Sequence, residues 1–152
     1  MNNEIESYKD CCLENMFSNA LILALNKHKG QVDKAGQPYI YHLLRVMSYV
    51  PTNKEKTVAI LHDILEDTDT TVEQLKEIGI IDDIIDAVVL LTKNDKEDYV
   101  DYIKRIKNND LARAVKLSDL KDDMDLSRLD NITEEDYKRY QKYLKAYKIL
   151  KE

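Results

Sequence analysis

Glycine, proline and cysteine are nearly missing from this chain: three, two and two among 152 residues. Tryptophan is absent and phenylalanine occurs once. A strand-rich sandwich or barrel needs frequent turns, so this scarcity of glycine and proline argues against one and for helices. The two cysteines, Cys11 and Cys12, are adjacent. A bridge between neighbours closes almost no loop, and two thiols without zinc-site spacing hold no structural zinc, so both are read as reduced. No apolar run reaches the roughly 18–20 residues of a membrane span. The opening MNNEIESYKDCC lacks the basic-then-apolar pattern of a secretory signal, so the expectation is a cytoplasmic protein with no membrane partner. An excess of basic residues is missing as well, the net charge being −6. Non-specific nucleic-acid binding draws its affinity from Lys and Arg on phosphates, so a nucleic-acid partner is not expected.

What the chain does have is 43% hydrophobic and 34% charged residues, the composition of a soluble globular protein. Its length suits one domain spanning 1–152, with the motif-bearing part at about 16–150. Apolar residues recur at helical spacing almost throughout. Leu13, Met16, Phe17, Ala20, Leu21, Ala24 and Leu25 form one stripe of a first helix that should stop near Gly30. GQVDKAGQP (30–38) holds two of the three glycines and one of the two prolines, which marks an irregular loop. Pro38 opens a second helix, with Ile40, Leu43, Leu44 and Met47, that Pro51 closes. A third is predicted from about Lys54 to Glu66. A short fourth has capping-box signals at Thr70 and Thr71 with Glu73 and Gln74, and ends at Gly79. Further helices are predicted at about 83–91, with Ile84, Ile85, Val88 and Val89 inward, then around Tyr99–Ile106 and Leu111–Ser118, and last from about Glu134. The fold class is an all-α helical bundle.

Histidine is scarce: His28, His42 and His62. His62 opens the run HDILED, and no Lys or Arg occurs between Thr57 and Thr71. On one continuous helix, His62, Asp63, Glu66 and Asp67 would crowd an imidazole and three carboxylates into a small volume. Unpaired carboxylates repel, and a metal ion is the natural counter-charge. Imidazole and carboxylate without thiolate suit Mn²⁺, Fe²⁺, Zn²⁺ or Mg²⁺. His42, on the polar side of the second helix, and Asp119, directly after an apolar stripe, are the further candidate ligands. Taken singly, His42 would be an ordinary helix residue and Asp119 a surface acid or cap. Their order, each on its own predicted helix, is what carries weight. His28, at the end of the first stripe, is read as structural.

The order His42, His62-Asp63, Asp119 resembles the H…HD…D signature of the HD-domain metal-dependent phosphohydrolases. HKGQVDKAGQPYIYHLLRV (28–46), AILHDILEDTDTT (59–71) and ARAVKLSDL (112–120) resemble, more narrowly, the hydrolase domain of the RelA/SpoT alarmone enzymes and the small stand-alone alarmone hydrolases. The resemblance implies an HD-type single-domain bundle in which His42, His62, Asp63 and Asp119 bind one Mn²⁺. It places Glu66 and Asp67 beside the attacking water as catalytic residues, and Lys34, Arg139 and Tyr143 against the nucleotide. Two positions depart from the pattern. Asp33 stands where an Arg usually lies against the guanine, and Asp123 where an Asn usually follows the last ligand. Each is expected to add negative charge beside a polyanion.

The implied reaction removes the 3′-pyrophosphate of guanosine tetra- or pentaphosphate, leaving GDP or GTP. Lys29, Lys34, Lys93 and Arg139 are candidate cations for the developing phosphate charge. Two alternatives stand beside it: an HD phosphohydrolase for another nucleotide or phosphomonoester, and a nucleotide-binding module of low turnover. The oligomeric state stays open.

Overall fold

The computed structural model describes the backbone of residues 2–152 and the side chains of 13–152. The Cys11–Cys12 pair therefore lies outside the described side chains. Among the described residues nine α-helices follow one another: α1 (Asn2–Lys27), α2 (Ile40–Ser48), α3 (Asn53–Leu61), α4 (Ile64–Asp67), α5 (Val72–Glu77), α6 (Asp82–Leu91), α7 (Tyr99–Ile106), α8 (Asp110–Asp123) and α9 (Glu134–Lys151). A 3₁₀ turn, Leu126–Arg128, joins α8 to the last connection. Among the described residues the one β element is an isolated bridge between Val32 and Pro38. No described helix is long and apolar enough to cross a membrane.

The bundle is organised around α3. Thr57, Val58, Ala59, Ile60 and Leu61 are five consecutive buried residues, so the end of this helix is surrounded rather than one-sided. It packs against α1, α2, α6 and α8. Thr52 caps it in a capping box with Glu55. The next residues, His62 and Asp63, are thus delivered to the middle of the molecule by the most buried helix. Leu43 and Val46 of α2, Ile84 and Val88 of α6, and Val115 and Leu120 of α8 close the core around it.

Four expectations change in detail. The helix predicted over 54–66 breaks at His62-Asp63, where Asp63 takes φ −104° and ψ 0°. The HD pair therefore sits at a corner between α3 and α4 rather than inside one helix. His42 is buried, not on a polar face, because α2 turns it toward α3 and α8. Thr71 with Gln74 makes the capping box of α5, whereas Thr70 is buried and accepts a hydrogen bond from the Thr68 hydroxyl. Leu25 and Val89, both placed on inward stripes, are exposed, since α1 and α6 bury narrower faces of Met16, Ala20 and Ala24, and of Ile84, Ile85, Ala87, Val88 and Leu91.

The loop from Gly30 to Pro38 is ordered by its own hydrogen bonds. Asp33 N donates to Gln37 O, and Asp33 Oδ1 accepts from the Ala35 and Gln37 amides at 2.9 Å each. Gly36 takes φ +77°, which a side chain would resist. Gln31 ties the loop to α4 by donating to the Asp67 carbonyl. This fixes Tyr39, at the start of α2, in the centre of the site.

Candidate metal centre and pocket

Three helices meet at the two buried imidazoles. The His62 Nδ1 atom lies 2.7 Å from the Ala59 carbonyl. A carbonyl only accepts, so Nδ1 carries the hydrogen and Nε2 presents its lone pair. That Nε2 is buried and has no hydrogen-bond partner among the described residues. His42 is set the same way by a different group: its Nδ1 lies 2.7 Å from Asp122 Oδ2. Both Nε2 atoms face Asp119 Oδ1, at 3.2 Å from His42 and 3.4 Å from His62. Ligand atoms of His42, His62 and Asp119 all lie within 4.8 Å of one another. Asp63 stands beside them, its Oδ2 3.0 Å from His62 Nε2 and 3.9 Å from His42 Nε2. Tyr39 donates its phenolic hydrogen to the same oxygen.

This donor set fits a divalent cation. Two imidazole lone pairs and carboxylate oxygens converge in a buried volume, and one of the nitrogens is an orphan that a cation would satisfy. The electrostatics agree. Burial pushes His42 down, but hydrogen bonds to Asp119 and Asp122 outweigh it and lift it to about 9. Burial likewise disfavours a charged His62, and Asp63 and Asp119 overcome it. Asp119 itself is held well below the carboxylate range: Lys116 and His62 outweigh burial. The cluster thus demands a positive charge, whether proton or metal.

The supporting groups are largely ones the sequence did not point to. Asp119 Oδ2 accepts from Lys116 Nζ at 2.7 Å, so only Oδ1 is turned to the histidines. Asp122, 1% exposed, also accepts from Arg45 Nε at 2.7 Å, from Arg45 Nη2 at 3.1 Å and from Arg128 Nη2 at 3.3 Å. The available signal was the spacing in KLSDLKDD, where Lys116, Asp119 and Asp122 follow at three-residue steps on one helix face.

The cleft beside this cluster has two lobes that share Tyr39, His42, Asp123 and Tyr143 as a common wall. The inner lobe, about 240 Å³, is bounded by Asp63, Glu66, Asp67 and Asp119 and by the lysines 93, 116 and 142. The outer lobe, about 380 Å³, is bounded by Asp33, Lys34, Arg45, Arg128 and Arg139. The cleft therefore brings together His42, Asp63, Asp119, Glu66, Asp67, Lys34, Asp33, Asp123, Arg139 and Tyr143, with His62 behind the wall. Lys93 lines it as well, while Lys29 is exposed and lines neither lobe. His28 is buried, hydrogen-bonded to Gln31 and tilted against Tyr39 at 5.4 Å.

Glu66 Oε1 accepts the Lys93 amide hydrogen at 2.7 Å. Burial raises the Glu66 carboxyl above its ordinary value, as it does that of Asp67, with Asp63 adding in both cases. Asp33 does not project a free charge: its Oδ1 is bound by the loop amides, and its Oδ2 lies 3.7 Å from Arg45 Nη2. Asp123 is pushed up to about 7 by burial and by Asp119.

A solved structure of a metazoan ortholog of SpoT that hydrolyzes ppGpp superposes with a TM-score of 0.71, covering 89% of this chain and 85% of that one at 24% identity. The two share one fold. A guanosine-3′,5′-bis(diphosphate) 3′-pyrophosphohydrolase of Haemophilus influenzae is 37% identical over 78 residues, 47% of this chain and 12% of its own length. The protein of the same description from Aquifex aeolicus is 47% identical over 58 residues, 36% of this chain and 8% of its own. A GTP pyrophosphokinase of Myxococcus xanthus is 32% identical over 84 residues, 51% of this chain and 11% of its own. The chain spans about a tenth of the length of these curated relatives. No family model matches it.

Proposed function

We propose that the protein is a divalent-metal-dependent phosphohydrolase that removes the 3′-pyrophosphate of guanosine tetra- and pentaphosphate. The supporting relatives carry hydrolase and pyrophosphokinase names, so a name alone does not choose the reaction. The observation that supports hydrolysis is the orphaned His62 Nε2 facing Asp119 and Asp63, with Glu66 and Asp67 in the same lobe. That arrangement suits water activation.

His42, His62, Asp63 and Asp119 would hold the cation, and Mn²⁺ is the ion we assign. Once bound, such an ion lowers the pKa of water and polarises a phosphoryl oxygen. The chain's own residues do the rest. The Ala59 carbonyl and the Asp122 carboxylate fix the two imidazoles with Nε2 inward. Tyr39 and Lys116 each hold one oxygen of a ligand carboxylate. Glu66, with Oε1 held by the Lys93 amide, takes the proton of the attacking water at Oε2, its raised proton affinity suiting a general base. Asp67 orients that water. The water oxygen bonds to the phosphorus on O3′, the P–O3′ bond breaks, O3′ takes up a proton, and pyrophosphate leaves. Lys93, Lys116 and Lys142 lie where phosphate charge develops. In the outer lobe Arg139 and Tyr143 meet the nucleoside and Lys34 a terminal phosphate. A cytoplasmic location fits such a nucleotide substrate.

Glu66→Gln tests the assignment. It should keep its cation and lose at least about 10²-fold in rate. Loss of the cation together with activity would make Glu66 a ligand instead.

A further inference from the structure

Among the described residues, the buried side-chain polar atoms without a hydrogen-bond partner are His28 Nε2, His62 Nε2 and the Tyr99 hydroxyl. The cation site accounts for His62, and His28 is pinned through Nδ1 to Gln31, its ring against Tyr39. Tyr99 has no such account. It is the first residue of α7, and Asp98 sets its place by accepting from the Val100 and Asp101 amides at 2.8 and 3.2 Å. The side chain lines the inner lobe, with Lys142 Nζ 4.0 Å from its ring centroid. Two other tyrosines of that lobe use their hydroxyls within the protein: Tyr39 donates to Asp63, and Tyr102 to the Leu91 carbonyl at 2.5 Å. A buried phenol that donates to nothing is costly, so its retention points to an acceptor from outside the chain. Burial, opposed by Lys116 and reinforced by Asp119, pushes Tyr99 up to about 12, so it keeps its hydrogen at neutral pH. The surroundings define the acceptor. Lys93 Nζ donates only to the Asn94 carbonyl, and neither Lys93 nor Lys142 has a carboxylate partner among the described residues. Burial, with Lys93 and Lys116 adding, pushes the Lys142 ammonium below its ordinary value. Ammonium groups that crowd one lobe in this way favour an anionic oxygen there.

We infer that Tyr99 is a further substrate-contacting residue, its hydroxyl donating to a non-bridging oxygen of the 3′-diphosphate in the inner lobe beside Lys93 and Lys142. This rests on the hydrolase reading above and adds to it a neutral donor. The oxygen it meets carries charge in the substrate and in the pyrophosphate product alike. The contact therefore acts as binding that persists through the reaction, and it belongs to KM rather than to kcat.

The experiment compares Tyr99→Phe with the wild type, both as full chains. In thermal unfolding, deleting an unpaired buried hydroxyl should leave the melting temperature equal or higher, whereas a hydroxyl that serves the fold would lower it on removal. With Mn²⁺ loaded and guanosine 3′,5′-bis(diphosphate) as substrate, KM should rise about tenfold, the scale of one hydrogen bond to a charged oxygen, with kcat nearly unchanged. An unchanged kcat/KM, a loss confined to kcat, or a loss that comes with a lower melting temperature overturns the inference and leaves the hydrolase reading in place. Inorganic pyrophosphate titrated into the metal-free proteins gives a readout that needs no turnover. Its affinity should fall about tenfold in the variant. If the wild type turns over nothing while that difference persists, the hydrolase reading falls and the contact with the anion stands. Equal pyrophosphate affinity in the two proteins, or binding by neither, overturns the contact.

Discussion

Asp122 does for His42 what the Ala59 carbonyl does for His62: each accepts from Nδ1 and thereby frees Nε2. Such orienting groups commonly contribute 10–100-fold to metal affinity. Asp122→Ala should therefore weaken Mn²⁺ binding about 10–100-fold. A titration giving wild-type affinity would show that His42 is oriented by packing alone. The same residues set a pH dependence. In the metal-free cluster His42 is lifted to about 9, so at neutral pH it holds a proton that a cation must displace. Affinity should accordingly fall as pH falls, and uptake at pH 7.5 should release protons, since His42 and His62 are both shifted upward. Calorimetry in buffers of different ionisation enthalpy measures that release, and uptake without it would contradict the assignment of His42. At this scale the sequence was informative about His42, His62 and Asp119, because rare imidazoles and acids beside apolar stripes are visible in a string of letters. It did not single out Asp122, Lys116 or Arg45, and the three-residue steps of KLSDLKDD bear only on the first two. Their partners lie on other helices or depend on the exact turn of α8, and nothing in their type distinguishes them from the many surface charges.

Among the elements, α3 matters most to the site, since its buried end carries the HD corner. Ile60 is fully buried two residues before His62. Ile60→Ala should cost about 2–5 kcal/mol by leaving a cavity that close-packed helices cannot fill. Denaturant unfolding checks this, and a loss below about 1 kcal/mol would mean that α3 is not rigidly clamped. Element positions follow the sequence well where a cap or breaker is local, as at Thr71, Gly79 and Thr133. The corner at His62-Asp63 was not legible. HDILED has no glycine or proline, and its helical pattern continues across the break. Tyr39, His42 and Asp119 meet that corner through space, and no local residue announces it.

For the whole molecule, what organises function is the union of a buried cationic demand with a two-lobed cleft. Asp33 and Asp123 looked from the sequence like added negative charge beside a polyanion. In the folded chain Asp33 is tied into its own loop beside Arg45, and Asp123 is pushed up to about 7. Their effect therefore depends on neighbours that only the assembled bundle supplies. The hydrolase reading is tested most directly by incubating Mn²⁺-loaded protein with guanosine 3′,5′-bis(diphosphate) and following the products by phosphorus NMR. The expected result is GDP and pyrophosphate in equal amounts, lost on chelation and restored by adding the metal back. Release of orthophosphate, or no turnover by protein shown to hold its cation, would contradict it.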